Sequence, residues 1–260
     1  MAENKVVIAL DFDGLIADSI RDSFVQSVNA YNSMGGRFPR IRATEKKFQQ
    51  GKPFAKNADG YYTLLRLIEQ NPKVNFRKMT QEQFDREFER DRTEKGPKFE
   101  KRFSEYRRHM QREHPDEWIA LNSIFPRVER QIGKLQKKYS VWIATGKDRE
   151  SVVRLLKKSG INIPADQILS KENTKSKVEQ MRIIAEREGV PVSKILMIDD
   201  SLNYLRDVKA VGAEAAMAKW GYSTREQRRQ AKREGIPLIR RPLFGWSFTL
   251  AKKLRQMRKK

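Results

Sequence analysis

Three short apolar runs, each stopped by a polar group, do most to constrain what this chain can fold into. Lys5-Val-Val-Ile-Ala-Leu10 runs into Asp11-Phe-Asp13-Gly14, Tyr139-Ser-Val-Trp-Ile-Ala144 into Thr145-Gly146, and Lys194-Ile-Leu-Met-Ile198 into Asp199-Asp200. Apolar runs of strand length without polar alternation suit strands covered on both faces, as in a parallel sheet. Ala213 to Met217 is a weaker run, and Ile236 to Ile239 reads as a last edge strand.

Helical periods fill the gaps. Val128, Ile132 and Leu135 recur on one helical face, and Pro126 suits a first helical turn. Val152-Val153 and Leu155-Leu156 lead to Gly160, while Val178, Met181 and Ile184 lead to Gly189, two helices with glycine stops. Strands alternating with such helices predict βαβ units and an α/β fold, a Rossmann-like parallel sheet.

Residues 19–122 break that rhythm. Thr80 and Gln83 form a capping box ahead of Phe84 and Phe88, and Phe99, Phe103, Tyr106 and Met110 mark a second helix, with Gly96-Pro97 between the two. No β-pattern is visible there, so the stretch reads as an all-helical insertion. Its aromatic stripe reads as core. The expected organisation is an α/β core of residues 1–18 and 123–245, a helical insertion of 19–122, and a basic amphipathic helix of 246–260.

Composition narrows the chemistry. The chain has no cysteine, which excludes a disulfide scaffold, a thiolate metal site and a thiol nucleophile. With only His109 and His114, a multi-histidine metal site is not expected, and both read as exposed positions on a charged helix. The first apolar run is too short for a signal peptide, and nothing approaches a bilayer span, so a soluble cytoplasmic protein is expected.

The 260 residues carry a net charge of +22, unevenly spread. Residues 1–36 are net −3, whereas Lys219 to Lys260 holds 14 basic and 2 acidic residues. Trp246, Leu250, Leu254 and Met257 form an apolar stripe amid that basic tail. The stripe either packs back on the core or faces an anionic surface: RNA, a membrane interface or an acidic protein groove. Residues 219–260 are therefore the candidate site for RNA or another polyanion.

In parallel sheets ligands bind beyond the carboxyl ends of the strands. Asp11, Asp13, Thr145, Asp199 and Asp200 all fall there. Clustered carboxylates repel unless a cation or shared proton relieves them, and a hard divalent ion such as Mg²⁺ suits an oxygen cluster. Thr145 taken alone serves equally well as a helix N-cap.

Asp11-Phe-Asp13-Gly-Leu-Ile-Ala-Asp-Ser19 resembles the first motif of the haloacid dehalogenase superfamily of phosphotransferases. Thr145 is similar to its second motif, Lys177 to its third, and Ile198-Asp199-Asp200-Ser201 to its fourth. Phe125-Pro126 and Trp220-Gly221-Tyr222 are similar to the phosphoglycolate phosphatase-like branch. The resemblance implies a Mg²⁺-dependent phosphatase, with residues 19–122 as a mobile cap over the site. It implies Asp11 as nucleophile, forming an aspartyl-phosphate, and Asp13 as acid then base. Thr145 and Lys177 would bind phosphoryl oxygens, and Asp11, Asp199, Asp200 and the backbone carbonyl of Asp13 would hold the ion. The implied substrate is a phosphorylated small molecule or nucleotide. The family's dehalogenases lack an acid at the Asp13 position, since halide leaves without protonation, so Asp13 favours phosphate chemistry.

Two positions depart from the family pattern. Leu15 stands where many relatives have Thr, and Tyr204 where many have a further acid; Asn203 and Asp207 are the neighbouring substitutes. Lys175 rivals Lys177 for the third motif, with the register of the following helix favouring Lys177. A catalytic fold can also persist without turnover. The alternative function is accordingly a nucleic-acid-bound or ribonucleoprotein component in which catalysis is secondary or absent.

Overall fold

A computed structural model describes residues 5–240 and 248–259. In chain order, β1 (Val7–Leu10) and β2 (Ala17–Asp18) precede six helices: α1 (Ile20–Ser33), α2 (Arg42–Gly51), α3 (Asp59–Gln70), α4 (Gln81–Asp91), α5 (Lys95–Glu113) and α6 (Pro115–Ala120). There follow β3 (Ser123–Ile124), α7 (Val128–Gln136), β4 (Ser140–Ala144), α8 (Arg149–Lys158), β5 (Ile168–Leu169) and α9 (Lys177–Glu188). The chain continues through β6 (Ile195–Asp199), α10 (Leu202–Ala210), β7 (Glu214–Ala218), α11 (Arg225–Arg233), β8 (Leu238–Ile239) and α12 (Phe248–Lys259). Two compact units result, one of residues 1–18 and 124–260, the other of residues 19–123.

The first unit is a six-stranded parallel sheet in the order β5-β4-β1-β6-β7-β8. From β1 the chain builds outward to β4 and β5, then crosses back to β6 on the other side. β1 therefore lies at the topological switch point, where open α/β sheets bind ligands. β2 and β3 pair separately as a two-stranded ribbon. The apolar runs are strands because both faces are covered: Val7, Ile8, Ala9 and Leu10 are all buried, as are Ile195 to Ile198. On one face Val7, Ala9, Trp142, Met197 and Met217 pack against Met181, Ile184, Leu202 and Leu205 of α9 and α10. Burial of each large apolar side chain contributes about 1.5–3 kcal/mol.

In the second unit Phe48, Phe54, Phe76, Phe84, Phe99, Phe103 and Trp118 are buried. The Thr80–Gln83 capping box starts α4 as expected. Gly96-Pro97, however, does not separate two helices but lies in the first turn of α5. Proline is tolerated there because the first-turn N–H groups have no intrahelical partner. Pro126 likewise lies ahead of α7 rather than in it, since Arg127 (φ 67°) takes a left-handed conformation as N-cap. A polar seam joins α1 to α5: Arg107 pairs with Asp22 at 2.9 Å, and Asp22 also accepts from Trp118 Nε1 at 3.2 Å.

β5 is a strand of two residues that the apolar pattern did not single out. The last edge strand is β8, within the expected Ile236 to Ile239. His109 and His114 are exposed. Leu250, Leu254 and Met257 of α12 are buried, so the tail's stripe packs on the core. Trp246 and the expected boundary at 245/246 fall outside the described residues. Among those described, no helix is long and apolar enough to cross a membrane.

Candidate active site

Strand register assembles the site. Leu10 pairs with Ile143 of β4 and with Ile198 of β6, so one residue on, Asp11 stands between Ala144 and Asp199. The Asp11 N–H donates to Ile198 O at 3.0 Å, and the Thr145 N–H to Leu169 O at 2.9 Å, which extends the ladders past the last strand residues. One carboxylate oxygen from each of Asp11, Asp199 and Asp200 lies within 4.8 Å of the others, and all three residues are buried.

Lys177, first residue of α9, is buried in the same cluster. Its ammonium donates to Asp11 Oδ1 at 2.6 Å and to Ala144 O, stands 3.4 Å from Asp199 Oδ2, and lies 5.3 Å from the centre of the Tyr204 ring. Burial opposes its charge, but Asp11 and Asp199 outweigh burial and hold its ammonium above the ordinary value. Burial raises the Asp11 carboxyl, Lys177 opposes it, and Asp199 and Asp13 add to burial, which together leave it raised to about 7. Lys175, the rival, is exposed. A cavity of about 350 Å³ opens beside Lys177, lined in part by Lys175, Tyr204 and Asp207. Asp207 is exposed and is absent from the carboxylate cluster, so it does not replace the acid missing at Tyr204.

Asp200 is held by the absence of side chains. A Cβ at Gly14 (φ +82°) or at Gly221 would collide with its carboxylate. The two glycines let the loops after β1 and β7 close on it, and the Tyr222 N–H donates to Asp200 Oδ2. The same Trp220-Gly221-Tyr222 loop ties down the first-motif turn: Trp220 Nε1 donates to Leu15 O at 3.1 Å, and Tyr222 Oη to Asp18 Oδ1 at 2.8 Å. Burial, aided by Asp18 and Asp13, raises the Tyr222 hydroxyl well above its ordinary value, so it remains a donor.

Sequence reasoning missed Lys147. Its side chain is fully buried, and its ammonium stands 3.2 Å from Asp13 Oδ1. Its backbone N–H donates to Thr145 Oγ1 at 3.1 Å. One residue thus touches both Asp13 and Thr145. The only available signal was its place two residues beyond the strand-end threonine. Thr145 is not the N-cap of α8: Asp148 fills that position, accepting from the Ser151 N–H at 2.9 Å. Asp13 is half-buried and directs its carboxylate to Lys147, apart from the Asp11–Asp199–Asp200 group.

The cluster fits a hard divalent cation. Its donors are all carboxylate oxygens, and buried Asp199 Oδ2 makes no hydrogen bond, its one close cation being the Lys177 ammonium at 3.4 Å among the described residues. Three carboxylates stand against one ammonium, so a further positive charge relieves them.

A parallel α/β sheet with acidic groups converging at its switch point puts the candidate chemistry at the strand ends. The sequence model of the haloacid dehalogenase-like hydrolases matches residues 6–212, and the chain belongs to that family. No curated protein matches the sequence. Among solved structures, a candidate phosphoglycolate phosphatase from Lactobacillus delbrueckii subsp. bulgaricus is similar, with a TM-score of 0.66 at 16% identity over 98% of each chain. A haloacid dehalogenase-like hydrolase from Streptococcus pneumoniae aligns over 92% of this chain and 96% of its own, with a TM-score of 0.61 at 14% identity. A family hydrolase from Deinococcus radiodurans with bound phosphate and sodium aligns over 98% and 96%, with a TM-score of 0.56 at 12% identity. These likenesses show the shared fold.

Proposed function

We propose that the chain is a Mg²⁺-dependent phosphatase that hydrolyses phosphate monoesters through an aspartyl-phosphate on Asp11. The observation that carries this reading is Lys177 bound to Asp11 at 2.6 Å within a buried aspartate cluster at the switch point. Family membership, the retained Asp13 and the phosphatase descriptions among the similar structures support it.

An Asp11 carboxylate oxygen attacks phosphorus while the ester P–O bond breaks, and Asp13 gives its proton to the leaving oxygen. Asp13, now ionised, takes a proton from water. That water attacks the phosphorus, and phosphate leaves Asp11 restored. Lys177 and Thr145 hold the phosphoryl oxygens and offset the charge that builds on them. Lys177 also sets the rotamer of Asp11 through their hydrogen bond. Asp11, Asp199 and Asp200, with the Asp13 carbonyl, are the residues that would hold Mg²⁺, which neutralises charge between carboxylate and phosphate.

We read the helical unit of residues 19–123 as the substrate-selecting cap that the family resemblance implies. Its substrate is a phosphorylated small molecule or nucleotide. The test is phosphate release from an aryl phosphate with and without MgCl₂. Turnover that requires Mg²⁺ and falls at least about 10³-fold in Asp11→Asn is expected; metal-independent turnover, or full activity in the variant, overturns the reading.

A further inference from the structure

A surface of opposite sign lies at the other end of the sheet. Helices of parallel βαβ units return the chain to the amino ends of the strands, so their C-termini gather there. α7 ends near Lys134, Lys137 and Lys138, all exposed. Two contacts place α12 beside them. Lys253 pairs with Glu214, the first residue of β7, and the Arg258 guanidinium lies 4.8 Å from the centre of the Tyr139 ring, just before β4. The outer side of α12 carries Lys252, Arg255 and Arg258, all exposed, and the helix has no acidic residue. Lys134, Lys137, Lys138, Lys252 and Arg255 have no carboxylate partner among the described residues.

We propose that this face binds the phosphate backbone of a duplex nucleic acid through charge, without reading its sequence. Leu250, Leu254 and Met257 are buried in the core, so among the described side chains α12 offers no apolar face to lipid or a protein groove. The exposed large apolar side chains among the described residues are Ile41 and Val153, and neither belongs to α7 or α12. The Tyr139 ring is taken by Arg258 rather than offered to a base, which disfavours stacking on single strands. Helix C-termini oppose anions, but a partial charge of about half a unit each is small against these full charges. The face is remote from the aspartates, so binding there leaves the catalytic edge open.

Fluorescence anisotropy with labelled DNA and RNA duplexes of mixed sequence tests the proposal. The parent protein is expected to bind, with affinity falling steeply as salt rises. The quadruple variant Lys137→Gln, Lys138→Gln, Lys252→Gln, Arg255→Gln is expected to bind at least about tenfold more weakly at about 0.1 M salt, with a shallower salt slope by about 3–4. An unchanged melting temperature and unchanged aryl-phosphate hydrolysis show that it is folded. Should it misfold, the exposed pair Lys252→Glu, Arg255→Glu is expected to bind at least about tenfold more weakly, with a salt slope shallower by about 2. No binding by the parent at low salt, equal binding by a folded variant, or tighter binding to phosphatidylserine vesicles than to duplex each overturns the proposal.

Discussion

The Lys147 ammonium lies 3.2 Å from the Asp13 carboxylate, with the lysine side chain wholly out of solvent. In the proposed mechanism an ammonium fixed there would orient Asp13 towards the leaving oxygen, while the Lys147 backbone N–H donates to Thr145 Oγ1. Lys147→Met is therefore expected to lower kcat by about 10²-fold, the range in which acid–base groups contribute. The loss should be larger for an alkyl phosphate than for a nitrophenyl phosphate, whose leaving group needs little protonation. Paired kcat measurements on the two substrates check this; equal losses contradict it.

Gly221→Ala tests the closeness of the loops. Its Cβ would meet the Asp200 side chain and the Gly14 carbonyl. Overpacking of this kind costs about 1–3 kcal/mol. Displacement of Asp200 should also raise the Mg²⁺ concentration needed for half-maximal turnover. A magnesium titration of the variant, with its thermal midpoint, measures both; an unchanged titration argues that Asp200 does not serve the ion.

How far the chain was readable follows from what leaves a mark in sequence. Asp11, Thr145 and Asp199 were legible because apolar runs of strand length stop at each, and parallel register brings the ends of adjacent strands level. Lys177 was legible through the register of α9, and its burial against exposed Lys175 resolves the pair. Lys147 was not, because a buried lysine looks like any other in a chain with 55 basic residues. β5 was missed because two residues cannot display a period. The expected helix break at Gly96-Pro97 failed because proline breaks a helix only past its first turn. The tail's stripe was ambiguous, since an amphipathic face does not say what covers it; Leu250, Leu254 and Met257 pack inward.

Glu188 gives a pH test. Burial works against its ionisation, but hydrogen bonds from Lys5, Ser140 and Trp142 outweigh burial and hold its carboxyl below the ordinary 4.5. A depressed folded pKa adds stability above about 4.5, which is lost as pH falls through the folded value. Glu188→Gln should therefore destabilise the protein by about 1–2 kcal/mol at neutral pH. The gap to the parent should close as pH drops below 4.5. Urea unfolding at stepped pH measures it; a gap that widens in acid contradicts the assignment.

The buried pair Asp22–Arg107 makes a prediction for the helical unit. With Asp22 fully buried, Arg107→Met strands a carboxylate and should cost about 3–5 kcal/mol. Adding Asp22→Leu removes that charge and should recover part of the loss. Urea midpoints of the single and double variants decide it; a double variant less stable than Arg107→Met would show that Asp22 is satisfied without the arginine.

The central claim is that Asp11 carries the phosphoryl group. Acid quench of the enzyme during turnover of an aryl phosphate, followed by proteolysis and tandem mass spectrometry, measures this directly. The account predicts one added phosphoryl group on the peptide containing Asp11, enriched in Asp13→Ala and absent in Asp11→Asn. Rapid turnover with phosphate found on another residue, or undiminished turnover in Asp11→Asn, would contradict it.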